Sequence, residues 1–270
     1  QKPMTAPQGG KQISDELIGI FFEDISSAAD GGLYAELLQN GSFEFSPNER
    51  DGWGPGTAWK SIRPGHSLGY VEPRMDGGIH SNNPTYMRLH IERVKEYYDY
   101  AGWKGFGLQN DGFDGISVKQ GAKYDFSAFF RNVKGAAKQV RIALVEPGGW
   151  GKDPKLLAEA TLTVNGNGWQ KYAATLSPNA DCKNAALQIL VLTQGDLDAD
   201  VLSLMPQDTY KGHGLRRDLA QALADLQPKF MRFPGGCVVH GGGDGFWNTY
   251  RWKTTVGPKE QRRPLKNTWG

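Results

Sequence analysis

Cysteine is scarce: Cys182 and Cys237 are the two in 270 residues. Two thiols cannot form a disulfide framework, so the fold has to rest on a core, and both are expected to be free. Excess charge of one sign is missing as well. The 31 basic and 29 acidic side chains leave a formal charge of +2 and are interspersed along the chain. That balance removes the electrostatic case for nucleic acid or an anionic membrane surface as a partner. No apolar run approaches the roughly 18 residues of a spanning helix, so no membrane span is expected. The five histidines, His66, His80, His90, His213 and His240, show no ligand spacing, and neither a metal nor a cofactor is expected.

Glycine and aromatic rings are abundant instead, with 36 Gly, 8 Trp and 10 Tyr. The glycine share is about twice the usual ~7 %. Many turns and many flat amphipathic rings suit a sugar-handling β protein, because aromatic faces pack on sugar rings while their polar tips stay wet. A large β core consumes aromatics equally well, so composition leaves both readings open. The first residues, "QKPMTAPQGGKQ", are polar and lack a hydrophobic stretch. They read as a flexible leader or as the remainder of a cleaved export signal.

Along the chain, "LIGIFFEDI" at 17 to 25 is an apolar run that ends in Glu23 and Asp24, long enough for one buried strand. A helix-like patch around Leu33 to Leu38 and a turn at Asn40-Gly41 follow. From about 43 to 206 the texture is one of short strands. "TYMRLHIE" alternates with period two, and "GISVK", "KYDFSAFFRN", "QVRIALVE", "KLLAEATLTV", "WQKYAATL" and "AALQILVLT" are separated by Gly, Pro, Asn and Asp. Such regular punctuation predicts a β-sandwich or jelly roll. Asp196, Asp198 and Asp200 read as a solvated acidic turn, with a calcium site as the lesser alternative.

After residue 207 the period changes. "GLRRDLAQALADLQPKF" puts Leu215, Leu219, Ala222, Leu223 and Leu226 on one helical face, and Pro228 ends it. The next stretch, "FMRFPGGCVVHGGG", reads as a strand carrying Arg232 that dissolves into glycine. Helix, short loop and buried strand are half of a parallel βα repeat whose first strand is supplied by "LIGIFFED" far upstream. Both strands then finish at one rim, where parallel βα folds place their chemistry. The expected units are residues 1–42 (leader and first strand), 43–206 (inserted jelly roll) and 207–270 (helix, second strand and loop).

"GIFFEDISSAADGGLYAELLQNGSFEF", "PKFMRFPGGCVVHG", "YRWKTTVGP" and "NTW" together resemble the N-terminal part of the α-L-arabinofuranosidases of glycoside hydrolase family 51. The middle block, from "NGSFE" to "DADVLSLMP", resembles jelly-roll carbohydrate-binding modules. The resemblance implies a mainly β chain in which that module is inserted between the first strands of an incomplete (β/α)8 barrel. It also implies retaining hydrolysis of terminal arabinofuranosyl groups from arabinan or arabinoxylan, with secretion or a periplasmic location following from such substrates. Retention needs two carboxyl groups roughly 5 to 5.5 Å apart. The family carries these glutamates on later barrel strands, so no catalytic residue is expected here and the isolated chain is expected to be inactive. The rest of the barrel would be its partner. Asn48-Glu49 lies in a Pro- and Gly-rich loop, not at a strand end, and is read as a decoy.

By the same resemblance Glu23 matches a glutamate that hydrogen-bonds arabinose hydroxyls, Arg232 orients it, and Gly235, Gly236 and Cys237 border the sugar pocket. Trp53, Trp59, Trp103 and Trp150 in the module, and Trp252 and Trp269 in the tail, are candidates for stacking on sugar; Trp169 is expected in the core. A non-catalytic carbohydrate-binding protein is the second reading.

Overall fold

The structure is a computed structural model, described here for residues 9–95, 103–149, 152–241 and 248–269. The strands are β1 (Ile20–Phe21), β2 (Trp59–Ile62), β3 (Leu68–Arg74), β4 (Tyr86–Arg93), β5 (Phe106–Asn110), β6 (Ile116–Val118) and β7 (Tyr124–Lys134). They continue with β8 (Lys138–Glu146), β9 (Lys155–Val164), β10 (Gln170–Leu176), β11 (Cys182–Val191) and β12 (Gly195–Pro206); after helix α1 (Arg217–Asp225) comes β13 (Met231–Arg232).

β2 to β12 form two antiparallel sheets. One has the order β10-β7-β12-β4-β3, and the other β2-β5-β11-β8-β9 with β6 added on β11. Alternation decides which side chains meet between the sheets. In β7, Tyr124, Phe126, Ala128 and Phe130 point inward, and Val140, Ile142 and Leu144 of β8 and Leu187, Ile189 and Val191 of β11 face them in one continuous core. The period-two reading of "TYMRLHIE" holds: Met87, Leu89 and Ile91 enter the core while Tyr86, Arg88 and His90 share the outer face of β4.

The acidic run at 196–200 is not a solvated turn. It lies inside β12, in the middle of its sheet, and Asp198 and Asp200 are buried. Period two turns all three carboxylates to the outer face, where side-chain partners take up two of them. Asp198 accepts from Arg88 at 2.6 Å and from Arg131 at 2.6 Å, and Asp196 lies 3.1 Å from His90 Nδ1. Among the described residues Asp200 has no such partner: burial pushes its carboxyl up to about 9, and its Oδ2 has no hydrogen bond there. Among the described residues no group of three or more His, Cys, Asp or Glu could hold a metal.

The patch at Leu33 to Leu38 is not helical either. Its backbone is committed elsewhere: Ala35 N donates to Gly214 O, Leu37 N to Leu204 O, and Arg216 N to Leu33 O. The chain entering the sandwich is thereby zipped to the chain leaving it. Glu36, 4 % exposed, locks the zipper by accepting from Ser203 Oγ (2.6 Å), Leu204 N (2.8 Å) and Lys259 Nζ (3.1 Å).

α1 is shorter than its pattern, and the stripe meant for burial stays largely outside, with Leu219 and Leu226 exposed and Ala220 as its buried residue. β1 and β13 are parallel, with Ile20 opposite Met231 and Phe21 opposite Arg232. They are far less buried than the "LIGIFF" and "FMRF" runs suggest: Phe21 is 54 % and Phe230 53 % exposed.

Glu36→Ala should strand a buried hydroxyl, a buried amide and the Lys259 ammonium, and lower stability by about 2–4 kcal/mol. Urea unfolding measures the loss. Hydrogen exchange should show β1 and β13 loosening before the sandwich; uniform loosening would refute the role of Glu36 as the lock.

Candidate functional site

The site is built where β1 and β13 end. Their ladder outlasts the two-residue strands: Ile20 N donates to Phe230 O, Phe22 N to Arg232 O and Asp24 N to Pro234 O, each at 2.9 Å. Glu23 is thus carried to the carboxyl end of β1 beside the Pro234–Cys237 loop. The Phe233–Pro234 peptide is cis, and Phe233 stacks on Phe22 with centroids 5.5 Å apart.

Glu23 Oε1 accepts from Gly236 N at 2.9 Å and from Cys237 N at 2.7 Å. These amide bonds, Cys237 first and Gly236 second, hold its carboxyl below the usual carboxylate range against the opposing effect of desolvation; the Cys237 thiol and the Arg232 charge assist. Two N–H groups on one oxygen therefore keep the carboxylate ionised and aimed. Gly235 has φ 136°, and a Cβ there would sit 2.5 Å from Glu23 Cγ. Glycine is required at that position by both conformation and space.

Arg232 does not grip Glu23 as a guanidinium fork. Its guanidinium lies 4.6 Å from the centroid of the Phe21 ring, and it reaches Glu23 through charge alone. Phe21 alternates to the same side as Glu23, and its exposed ring offers the cation a nearer surface. Asp24 turns away from the rim: it accepts from Ala29 N at 3.0 Å, and burial raises its pKa. The tail braces this turn from behind, where Asn267 donates to Asp24 O (2.8 Å) and Ser26 N donates to Trp269 O (2.8 Å).

The tryptophans separate into distinct environments. Trp59 belongs to β2, is buried against Phe43 and donates its indole N–H to Asn40 O at 2.9 Å, so it cannot stack on a ligand. Trp169 is half-buried on the outer face instead of in the core, edge-on to Tyr86 and under Arg131 at 4.6 Å. Trp103 lies under Arg141 and packs on the Ala143, Val145 and Ala186 patch. Trp53 is half-buried and stacks on Phe45, while Trp252 and Trp269 are exposed. Trp150 lies outside the described residues. Glu49 accepts from Ser46 N and Oγ in its loop, remote in sequence from either rim strand. Both cysteines are free.

Residues 222–270 match the family described as "Alpha-L-arabinofuranosidase 1 domain". The chain is 37 % identical, over 97 % of its length, to 30 % of an extracellular exo-α-L-arabinofuranosidase of Streptomyces chartreusis. It is 35 % identical, over 94 % of its length, to 36 % of α-L-arabinofuranosidase 1 of Arabidopsis thaliana. An arabinose-bound α-L-arabinofuranosidase structure of family GH51 superposes with a TM-score of 0.78 at 27 % identity, covering 93 % of this chain and 39 % of that one. Across nearly all its length this mainly β chain is therefore similar to part of enzymes named α-L-arabinofuranosidases. More narrowly, the solved structure it resembles is an α-L-arabinofuranosidase of family GH51. It spans about a third of the length of the relatives it matches.

Because the folded pKa of Glu23 is lowered, its tie to the loop is present above the ordinary carboxylate range and is lost as pH falls through the folded value. Exchange protection of the Gly236 and Cys237 amides should therefore persist as the pH falls through the value of a free Glu (about 4.3) and be lost only at lower pH. Gly235→Ala should abolish that protection at every pH by displacing Glu23; unchanged amides in the variant would contradict the packing argument.

Proposed function

We propose that the chain is the N-terminal part of an exo-acting, retaining α-L-arabinofuranosidase, in which Glu23 binds the hydroxyls of a terminal arabinofuranosyl unit. The observation that supports this most is the geometry of Glu23. Its Oε1 is used by two backbone amides, leaving Oε2 as an ionised acceptor at the mouth of two parallel strands. An ionised acceptor makes stronger bonds to hydroxyls than a neutral one. The space beside Gly235 is taken by Glu23 itself, whereas a Cβ at Gly236 would have nothing nearer than Glu23 Oε1 at 3.6 Å, so the ground at Gly236 stays open for a furanose ring, and Arg232 reinforces the negative charge that Glu23 keeps.

In this reading residues 43–206 are a jelly-roll module inserted after the first strand of a (β/α)8 barrel, and residues 1–42 and 207–270 are barrel pieces. The exposed apolar groups support it. Phe21, Phe230, Met231, Leu219 and Leu226 are uncovered on the strand pair and its helix, which is what further barrel strands and helices would bury. Binding one hydroxyl set supplies neither proton transfer nor a covalent intermediate, so the chemistry belongs to carboxylates on later strands. The substrates are arabinose-containing plant polysaccharides, and the site of action is outside the cell, in keeping with the relative named extracellular.

The 270-residue chain alone should release no arabinose from an aryl arabinofuranoside. In the longer enzyme, Glu23→Ala should lower kcat/KM about 10- to 100-fold, the worth of a charged hydrogen bond set. Turnover by the isolated chain, or an unaffected Glu23→Ala enzyme, would defeat the reading. Affinity of the chain for arabinan that Glu23→Ala leaves intact would favour the carbohydrate-binding alternative.

A further inference from the structure

A cavity of about 1040 Å³ opens where the loop that follows Glu23 in the chain meets the sandwich. Ser26, Ser27 and Gly31 form one wall; Trp53, Asp111 and Asn184 belong to the other. The cavity is preformed. A Cβ on Gly31 would meet the Phe113 ring at 2.4 Å, so the loop rests directly on that ring. Trp53 is fixed by Phe45, with centroids 4.3 Å apart and planes 4° from parallel. Ser26 and Ser27 are both held in the left-handed region, at φ 50° and 61°. Such backbone persists only where the surroundings impose it, and it gathers at ligand sites.

The chemistry of the walls narrows the ligand. Arg50 and Lys60 are matched in number by Asp111 and Asp114, and Lys60 is paired with Asp111, so a net ionic ligand has no advantage. Hydrogen-bonding capacity is left over. Among the described residues the Ser26 and Ser27 hydroxyls, the Trp53 indole N–H and the Asn184 amide make no side-chain hydrogen bond. Gln109 is oriented by donating to Asp111 at 2.7 Å. Fixed hydroxyl, indole and amide groups around an open, charge-balanced space suit a neutral ligand with many hydroxyls.

We propose that this cavity binds a neutral glycan chain, namely the polymer from which the arabinofuranosyl unit held at Glu23 projects. The wall begins three residues beyond Glu23 in the chain, which makes this cavity the candidate for a polymer that leaves the rim toward the sandwich. The assignment rests on the rim reading above and extends it to the leaving side of the substrate. It also gives the sandwich a part in substrate selection without any contact to the reacting bond.

The test is titration calorimetry on this chain with two probes, free arabinose and a short linear arabino-oligosaccharide. Arabinose can occupy the rim alone, whereas the oligosaccharide spans both regions and should bind about tenfold tighter or more. Trp53→Ala and Asn184→Ala should each weaken the oligosaccharide about fivefold and leave arabinose unchanged. Asn184 is exposed at the start of β11, so its variant keeps the test valid even if Trp53→Ala fails to fold. An oligosaccharide that binds no tighter than arabinose, that does not bind, or that ignores Asn184→Ala overturns the proposal. Glu23→Gln separates the two claims: it should weaken both probes, and if it changes neither while Asn184→Ala still weakens the oligosaccharide, the cavity stands and the rim assignment fails.

Discussion

The buried carboxylate of Glu36 is the contact on which the arrangement depends. A parallel pair joining residue 20 to residue 231 closes a very long loop, and two short strands cannot offset that entropy unaided. The sandwich solves the problem by bringing its own two ends together. Once Leu204 N, Ser203 Oγ and Lys259 Nζ converge on Glu36, the incoming and outgoing segments run side by side, and the loop left to close is only the short stem on each side. The sandwich is therefore more than a passenger. Its folding is what presents β1 to β13 in register.

At the rim the protein uses backbone where a side chain might have been expected. Arg232 is the obvious partner for Glu23, yet the carboxylate takes amide N–H groups from Gly236 and Cys237, and the guanidinium rests on Phe21. Amides in a tight loop have almost no rotamer freedom, so they fix the carboxylate more firmly than a long side chain can. The requirement for glycine at 235 follows directly, since any Cβ there would displace the group being positioned. Arg232 is left to act by charge, which tolerates small movements that a fork would not.

Much of this was legible in the chain. Period-two alternation located β4 and the Gly, Pro, Asn and Asp punctuation located most of the other sandwich strands, and the pairing of "LIGIFF" with "FMRF" as parallel neighbours was readable from the helix between them and the polar residues at their ends. The misreadings share a cause: residues whose local pattern points one way but whose partners lie far off in sequence. Leu33 to Leu38 has helical spacing, but its amides and carbonyls are claimed by residues 204 to 216. Asp196, Asp198 and Asp200 look like a turn until Arg88 and Arg131 are brought across the sheet to neutralise Asp198. The alternation of Tyr86, Arg88 and His90 carried that signal, since an arginine on a strand face invites a carboxylate on its neighbour. Trp59 sits among Gly and Pro, which suggests a loop, yet it begins β2 and its indole is consumed by Asn40.

The two halves of the molecule differ in how they are held, and the difference bears on how the site works. The sandwich buries a continuous core of aromatic and branched side chains between paired sheets, and such a core resists local opening. The strand pair has few buried apolar groups and exposes Phe21, Phe230 and Met231, so by itself it lies at the low-stability end. Its precision is borrowed. Glu23 is placed by hydrogen bonds to a loop, that loop by a short parallel ladder, and the ladder by the zipped stems of the sandwich. Any further elements that cover the exposed apolar face would stiffen the ladder from the other side, leaving the carboxylate fixed between two rigid bodies. An acceptor with the role proposed for Glu23 needs that rigidity, because a hydroxyl bond contributes to affinity only to the extent that the acceptor is already in place before the ligand arrives.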